Sequence, residues 1–138
     1  MDAALRRVLI GGASMRPTLE VGDVVLVRPT RRVRAGDVIV HESHGTPICH
    51  RAVLVIPWWG RGRVVHQGDA PGARPALVDG ATVLGRVVAV ERVGGARAPV
   101  PRRRPGWRRV LAAAGALARS AARKLGRHAP SRVAGAPS

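Results

Sequence analysis

Short apolar runs, each bounded by Gly, Pro or Asp, recur through the first 95 residues and constrain the fold more than any other feature of the chain. The runs are Val24–Val27, Asp37–His41, Ile48–Ile56, Arg63–Gln67 and Val83–Val90. Gly-Asp pairs stand at the margins of several runs, where Gly takes unusual dihedrals and Asp hydrogen-bonds to the local backbone. Short strands at regular spacing predict a mainly β fold, either a compact β-barrel or a folded sheet. The first ten residues fit one helical turn or a short lead-in strand.

The composition changes after Gly95. Residues 96–106 are rich in Pro and Arg and are predicted to be a linker that holds neither strand nor helix. Residues 107–126 are predicted to form a basic amphipathic helix, because apolar residues recur at steps of three and four. The predicted apolar stripe consists of Trp107, Val110, Leu111, Ala114, Leu117, Ala118, Ala121 and Leu125. The predicted organisation is a β domain over residues 1–95, the linker, the helix and a disordered tail over residues 127–138.

The residue types available limit both the core and the chemistry. The chain has no Phe or Tyr and three Trp, so its core must be built from Val, Leu, Ile and Ala. Cys49 is the single cysteine of the sequence, which excludes an internal disulfide and a cysteine-based metal cluster. The sequence predicts no metal ion and no cofactor.

Positive charge is concentrated towards the carboxyl end. Residues 1–99 carry 14 Arg against all 8 acidic residues, whereas residues 100–138 carry 9 Arg and Lys124 with no acidic residue. Such asymmetry predicts an anionic partner surface of lipid or nucleic acid, or else a solvated Arg-rich tail. The amphipathic pattern over residues 107–126, with its Trp and Arg flanks, favours an anionic membrane surface, which Trp58-Trp59 at a loop tip would also contact. Nucleic acid is not expected as a partner.

One segment presents a serine in the manner of a nucleophile. Ser14 follows a Gly-Gly-Ala approach and precedes a turn stiffened by Pro17. The pair Gly22-Asp23 then leads directly into an apolar strand. This arrangement predicts a hydrolase that attacks its substrate with a serine hydroxyl.

The run Ser-Met-x-Pro-Thr-Leu-x-x-Gly-Asp, which begins at Ser14, resembles the nucleophile segment of the type I signal peptidase family. The resemblance extends from about Gly11 to Val93. It implies a small signal-peptidase-like β fold with a serine peptidase site. It also implies that Met15 and Pro17, beside the nucleophile, contact the substrate.

A serine hydroxyl needs a neighbouring base to take its proton. Most bacterial signal peptidases use a lysine, but Lys124 lies in the predicted helix, beyond the linker. The run Ile-Cys-His-Arg around His50 resembles the branch of the family found in the endoplasmic reticulum and archaea, which has His followed by Arg. His50 is therefore the expected base, since an imidazole with a pKa of about 6.5 can accept a proton at neutral pH. His66 is the alternative base, and His41 and His44 are expected to face solvent.

A third group should orient the imidazole and stabilise its charged form. The Gly-Asp pair that ends at Asp69 resembles the Gly-Asp-Asn box of the family, so Asp69 is the expected orienting carboxylate. Asp79 is the alternative, because no acid stands where the family's second aspartate is usual. The backbone amide of Ser14 is the expected oxyanion donor. Cys49 is excluded as the partner of His50, since adjacent strand residues point to opposite faces.

Together these features predict a serine endopeptidase resembling signal peptidase I, which cleaves a peptide bond of a precursor protein. Two alternatives stay open: a non-catalytic basic module that binds lipid or nucleic acid, and a peptidase that processes itself or one dedicated partner. No apolar run reaches the roughly 18–20 residues of a membrane span. A cleavable signal peptide of about 15–30 residues would remove or abut Ser14. The expected location is therefore the cytoplasm or the periphery of a membrane.

Overall fold

The computed structural model describes residues 4–57 and 62–127. The strands are β1 (Arg6–Leu9), β2 (Val24–Pro29), β3 (Val38–Ser43), β4 (Thr46–Ile56), β5 (Arg63–Gln67), β6 (Ala76–Asp79), β7 (Val83–Glu91) and β8 (Arg97–Pro99). A 3-10 turn at Gly80–Thr82 joins β6 to β7, and the helix α1 covers Trp107–Gly126. The lead-in segment is thus a strand, β1, rather than a helical turn. Sequence patterns predicted five of these strands and missed the short β6 and β8.

All strand pairs are antiparallel and form one sheet in the order β1-β2-β7-β3-β4-β5-β6, with β8 paired to β7. The pairing order ends at β1 and β6, so the sheet of the described residues is open. The predicted fold class, mainly β with a carboxyl-terminal helix, is confirmed. Between the two expected forms, barrel and sheet, the structure has the open sheet.

Aliphatic side chains fill the interior, as the lack of Phe and Tyr requires. The largest cluster of buried residues is formed by Ile10, Met15, Leu19, Val25, Val27, Val38, Val40, Val87 and Val90. Met15 and Leu19 belong to the segment that carries the predicted nucleophile, and burying such side chains stabilises by about 1.5–3 kcal/mol each. The core therefore fixes the segment on both sides of Pro17.

A tight hairpin between β3 and β4 sets the register of the sheet at the site. His44 and Gly45 have φ of 50° and 76°, the positive values that a two-residue type I′ turn requires. The strands on either side end at Ser43 and begin again at Thr46. The turn places Ile39 opposite His50. Trp58 and Trp59, which were predicted to stand at a loop tip, lie outside the described residues.

The segment predicted to be a linker is partly ordered in the sheet. Arg97–Pro99 pairs with β7 as the edge strand β8, so the prediction that residues 96–106 hold no strand is wrong. An edge position tolerates a proline such as Pro99, because its missing N–H is not needed by a further strand. Beyond it, the backbone of Arg103 donates to the carbonyl of Gly36. The segment therefore lies along the domain.

Helix α1 packs against the sheet. Ala113 is fully buried and contacts Val53 and Val65, with Val110 beside it. This docked face is rotated from the predicted apolar stripe. Val110 and Leu117 of the stripe are partly buried, whereas Trp107, Leu111 and Leu125 are exposed. No described helix is both long and apolar enough to cross a bilayer. The predicted disordered tail, apart from Arg127, lies outside the described residues.

Candidate active site

The loop between β1 and β2 carries Ser14, and backbone contacts fix its position. Its carbonyl oxygen accepts a hydrogen bond of 2.9 Å from the backbone N–H of Ala70. A Cβ atom at Gly68 would overlap that same carbonyl oxygen, so only glycine permits this close approach. The Gly-Asp segment after β5 thus serves as a support for the serine loop.

Ser14 and His50, which the sequence paired as nucleophile and base, lie within hydrogen-bond distance. The Oγ of Ser14 is 3.1 Å from the Nε2 of His50, across 36 residues of sequence. This is the separation that direct proton transfer from the hydroxyl to the imidazole requires.

Three histidines lie on one face of neighbouring strands. His66 on β5 stands opposite Ala52, two residues after His50 on β4. His41 on β3 stands opposite Ile48, two residues before His50. Since side chains alternate between faces along a strand, all three rings point to the same side. The prediction that His41 faces solvent is wrong, because it is only 3% exposed, whereas His44 is exposed.

His50 uses its second ring nitrogen to contact His66. The two Nδ1 atoms are 2.8 Å apart, and the rings are stacked with centroids 5.0 Å apart. A hydrogen bond between them requires one Nδ1 to donate and the other to accept. If His50 donates, its Nε2 is left without a proton and can accept one from Ser14. His66 then carries its own proton on Nε2.

The surroundings keep these rings neutral. Burial is the main cause that lowers the pKa of His66 to about 3, and the neighbouring His41 and His50 contribute to the same shift. Burial also lowers the pKa of His50, as does His41, while Asp69 opposes the shift. Burial lowers the pKa of His41, and the adjacent backbone of Glu42 offsets only part of this effect. Near neutral pH, both rings are therefore neutral. His50 can take a proton, and His66 can accept the hydrogen bond from His50.

Asp69, the expected orienting carboxylate, has other partners. Arg51 donates from Nε to Oδ1 at 2.9 Å and from Nη2 to Oδ2 at 2.7 Å, and Thr18 donates to Oδ2 at 2.6 Å. Burial alone raises the pKa of Asp69, but these hydrogen bonds outweigh it and the pKa is lowered. The position at His50 Nδ1 that was expected to hold a carboxylate is held by His66. The predicted contact between Asp69 and His50 is therefore replaced by a contact between His66 and His50.

The alternative carboxylate, Asp79, also has a local role. Its Oδ1 accepts from the backbone N–H of Ala81 at 2.9 Å and caps the 3-10 turn before β7. Among the described residues, the hydrogen bonds of Asp79 therefore belong to this turn and not to His50.

The contact between His66 and His50 was not predicted. The sequence placed His66 in the run that forms β5, but only the register between β4 and β5 shows that its ring reaches His50.

The other predicted site residues lie around the serine. Met15 is buried in the main core and reaches the wall of a cavity of about 110 Å³ beside Ser14, which Ile48 and Cys49 also line. Pro17 lies on the other side of the loop, in a cleft with Arg51 and Asp69. Burial raises the pKa of Cys49 to about 12, so at neutral pH it is a thiol and a poor nucleophile.

A comparison with protein families relates part of the chain to a known family. The family model described as Peptidase S24-like matches residues 3–54, a segment of less than half the chain that includes both Ser14 and His50. No curated protein and no solved structure matches the chain. The family match supports a serine peptidase-type fold, within the superfamily that joins S24-like and signal-peptidase-like enzymes.

Proposed function

We propose that this chain is a serine endopeptidase that cleaves a peptide bond of a precursor protein in the manner of signal peptidase I. Ser14 is the nucleophile and His50 the general base. The observation that carries the proposal is the distance of 3.1 Å between Ser14 Oγ and His50 Nε2. Cleavage by this pair needs no metal ion or cofactor.

In the first step, Ser14 Oγ attacks the peptide carbonyl while His50 Nε2 takes the hydroxyl proton. The negative charge moves to the carbonyl oxygen, for which the backbone amide of Ser14 is the proposed donor. His50 then gives the proton to the leaving amine, and the acyl-serine remains. Water attacks this ester with His50 again as base, which releases the second product and restores Ser14.

We assign the orientation of His50 to His66 rather than to a carboxylate. The Nδ1 of His66 accepts the proton that His50 holds on its own Nδ1, and this fixes the tautomer with a free Nε2. A neutral imidazole stabilises the charged form of His50 less than a carboxylate would. Asp69 supplies part of that stabilisation at longer range, since its charge raises the pKa of His50.

The cavity beside Ser14 favours small side chains in the substrate. Its volume of about 110 Å³ is smaller than the roughly 150 Å³ of an engineered cavity that holds a benzene ring. An alanine or serine side chain fits such a space and an aromatic ring does not. The proposed substrate is therefore a peptide with small residues next to the cleaved bond.

The test replaces His50 with asparagine, which removes the ring and keeps a polar side chain. We expect cleavage of a panel of small-residue peptides, followed by mass spectrometry, to fall by at least about 100-fold, the usual contribution of general base catalysis. His44→Asn is the matched control, because His44 lies in the exposed hairpin turn, where asparagine also tolerates positive φ. Equal rates in both variants would contradict the role of His50.

A second proposal concerns the location of the enzyme. Helix α1 leaves Trp107, Leu111 and Leu125 exposed, at 68%, 62% and 77% of their surface. These residues lie one or more whole turns apart on one face, and Arg108 and Arg119 lie beside that face. The helix contains no acidic residue. We propose that this face lies on an anionic membrane surface.

Vesicle co-sedimentation tests the membrane proposal. The double variant Leu111→Gln with Leu125→Gln should bind vesicles of phosphatidylserine and phosphatidylcholine at least about tenfold more weakly than the wild type, because it loses apolar contact with the lipid. Leu9→Gln is the matched control, since Leu9 is 67% exposed on β1. Equal binding by the double variant, or equal wild-type binding to vesicles without phosphatidylserine, would contradict the proposal.

A further inference from the structure

The proposed peptidase mechanism gives no role to His41, and its surroundings are unusual. The side chain is 97% buried. The backbone of Glu42 interacts with the ring, but neither Nδ1 nor Nε2 meets the geometry of a hydrogen bond to any described residue. Leaving buried polar groups unpaired costs about 1–3 kcal/mol each. The ring of His41 lies 4.4 Å from that of His66, centroid to centroid. A ligand that pairs with this ring would remove the cost.

The three histidines on this face have the composition and spacing of a metal site. One nitrogen from each of His41, His50 and His66 can be chosen so that all three lie within 4.8 Å of one another. With Zn–N bonds of about 2.0–2.1 Å, nitrogens around a tetrahedral zinc ion are about 3.3 Å apart. The contact of 2.8 Å between His50 and His66 must therefore open by about 0.5 Å, and His41 must move inwards.

The chemistry of these ligands selects the class of metal. Neutral imidazole suits Zn²⁺, Cu²⁺ and Ni²⁺, whereas Mg²⁺ and Ca²⁺ prefer oxygen ligands. Each ring can offer a nitrogen that carries no proton, which is the form of imidazole that binds a metal ion. Three protein ligands leave a fourth position of a tetrahedral ion open for water.

We propose that His41, His50 and His66 bind a divalent transition-metal ion such as Zn²⁺, and that the bound ion switches off the peptidase. The second half of this proposal rests on the proposed function. When the ion takes Nδ1 of His50, the proton held there moves to Nε2, with no net release of protons from the ring. The Nε2 atom that faces Ser14 then carries a proton and cannot accept another. The base of the peptidase is therefore blocked without any change at Ser14.

Binding is tested in the Ser14→Ala protein, so that the result does not depend on catalysis. The full chain, produced without a histidine tag and treated with EDTA, is titrated with Zn²⁺ by calorimetry and with Co²⁺ by visible absorption. We expect one ion per chain, the same affinity as in the wild type, and no binding of Mg²⁺. His41→Gln and His66→Gln should each weaken Zn²⁺ binding at least about tenfold, whereas His44→Gln should leave it unchanged.

Thermal melts separate loss of a ligand from loss of the fold. Zn²⁺ should raise the Tm of the wild type and of Ser14→Ala, because a ligand that binds only the folded state stabilises it. It should not raise the Tm of His41→Gln. Absence of Zn²⁺ binding by Ser14→Ala, or equal binding by His41→Gln and the wild type, would overturn the metal site.

Inhibition is measured separately in the active protein. Each variant's cleavage rate is compared with and without Zn²⁺, relative to its own rate in EDTA. We expect the zinc concentration for half inhibition to rise at least about tenfold in His41→Gln. A metal site that binds without inhibiting would overturn the regulatory half alone. Failure of the peptidase to cleave any peptide in EDTA would count against the proposed function and leave the binding result standing.

Discussion

The Ser14→Ala variant is expected to lose peptide cleavage by a factor of about 10⁴ or more, the effect seen when the nucleophile of a serine peptidase is removed. The hydroxyl of Ser14 is the group that faces His50 Nε2, at 3.1 Å. Without it, the base has no proton to accept and no acyl intermediate forms. The measurement is mass spectrometry of a peptide panel incubated with wild type and variant at equal concentrations.

The Ser14→Ala substitution should leave the fold intact. The backbone carbonyl of Ser14, which accepts from Ala70, is unchanged in the variant, and so is the apolar anchor Met15. The melting temperature of the variant should therefore stay close to that of the wild type. Ser43→Ala, in the β3–β4 hairpin, is the matched control and should keep full activity. Cleavage by Ser14→Ala at the wild-type rate would reject the nucleophile.

The sequence predicted the fold class for a physical reason, whereas the pairing of Ser14 with His50 came from the resemblance to signal peptidases. Strand patterns depend on local alternation, and the segment around Ser14 has a distinctive order of turn residues that fixes its own conformation. His50 lies in the longest apolar run, and β4, an interior strand of the sheet, brings it to the loop between β1 and β2. The fold class and the nucleophile segment therefore rest on information that lies within single segments, but the contact between Ser14 and His50 does not.

Contacts between distant segments could not be predicted in this way. The grouping of His41 with His50 and His66 depends on the register across three strands, which the two-residue turn at His44-Gly45 and a bulge in β4 decide. The docked face of α1 differs from its sequence stripe for a similar reason. Ala113 and Val110 pack on the sheet, whereas Leu111, two residues from Ala113, is 62% exposed.

The partner of Asp69 is the clearest example. Its Gly-Asp context indicated a place next to the site, and it does follow the segment that supports Ser14. Yet the neighbouring Arg51, on the opposite face of β4 from His50, offers two parallel N–H donors that match a carboxylate. Residue order alone could not tell whether the acid would meet the imidazole or the guanidinium.

This pairing predicts that Asp69 matters more for stability than for proton transfer. The side chains of Arg51 and Asp69 are 6% and 13% exposed, and Arg51 also donates to the carbonyl of Gly36 at 2.8 Å. Removing one member of a buried pair leaves an uncompensated charge and costs about 3–5 kcal/mol. Asp69→Asn should therefore lower the free energy of unfolding by about 3 kcal/mol, measured by urea denaturation at pH 7.

A matched control separates this effect from a general loss of charge. Glu91→Gln breaks the pair with Arg7, in which the Arg7 side chain is 61% exposed, and should cost no more than about 1 kcal/mol.

The stabilisation by Asp69 should depend on pH, because its pKa is lowered in the folded state. The stabilisation is fully present above the unfolded pKa of about 3.9 and is lost as the pH falls through the folded pKa. The difference in stability between wild type and Asp69→Asn should shrink below about pH 4.

Activity of the same variant decides between the two roles of Asp69. A carboxylate that orients the histidine of a serine peptidase contributes about 10⁴ in kcat when tested by an amide replacement. Because His66 holds the Nδ1 of His50, we expect Asp69→Asn, at a temperature where it is folded, to keep its kcat within about tenfold of the wild type. A loss near 10⁴ without a loss of stability would return Asp69 to the orienting role. The site would then have to rearrange on binding substrate, with His50 turning from His66 to the carboxylate.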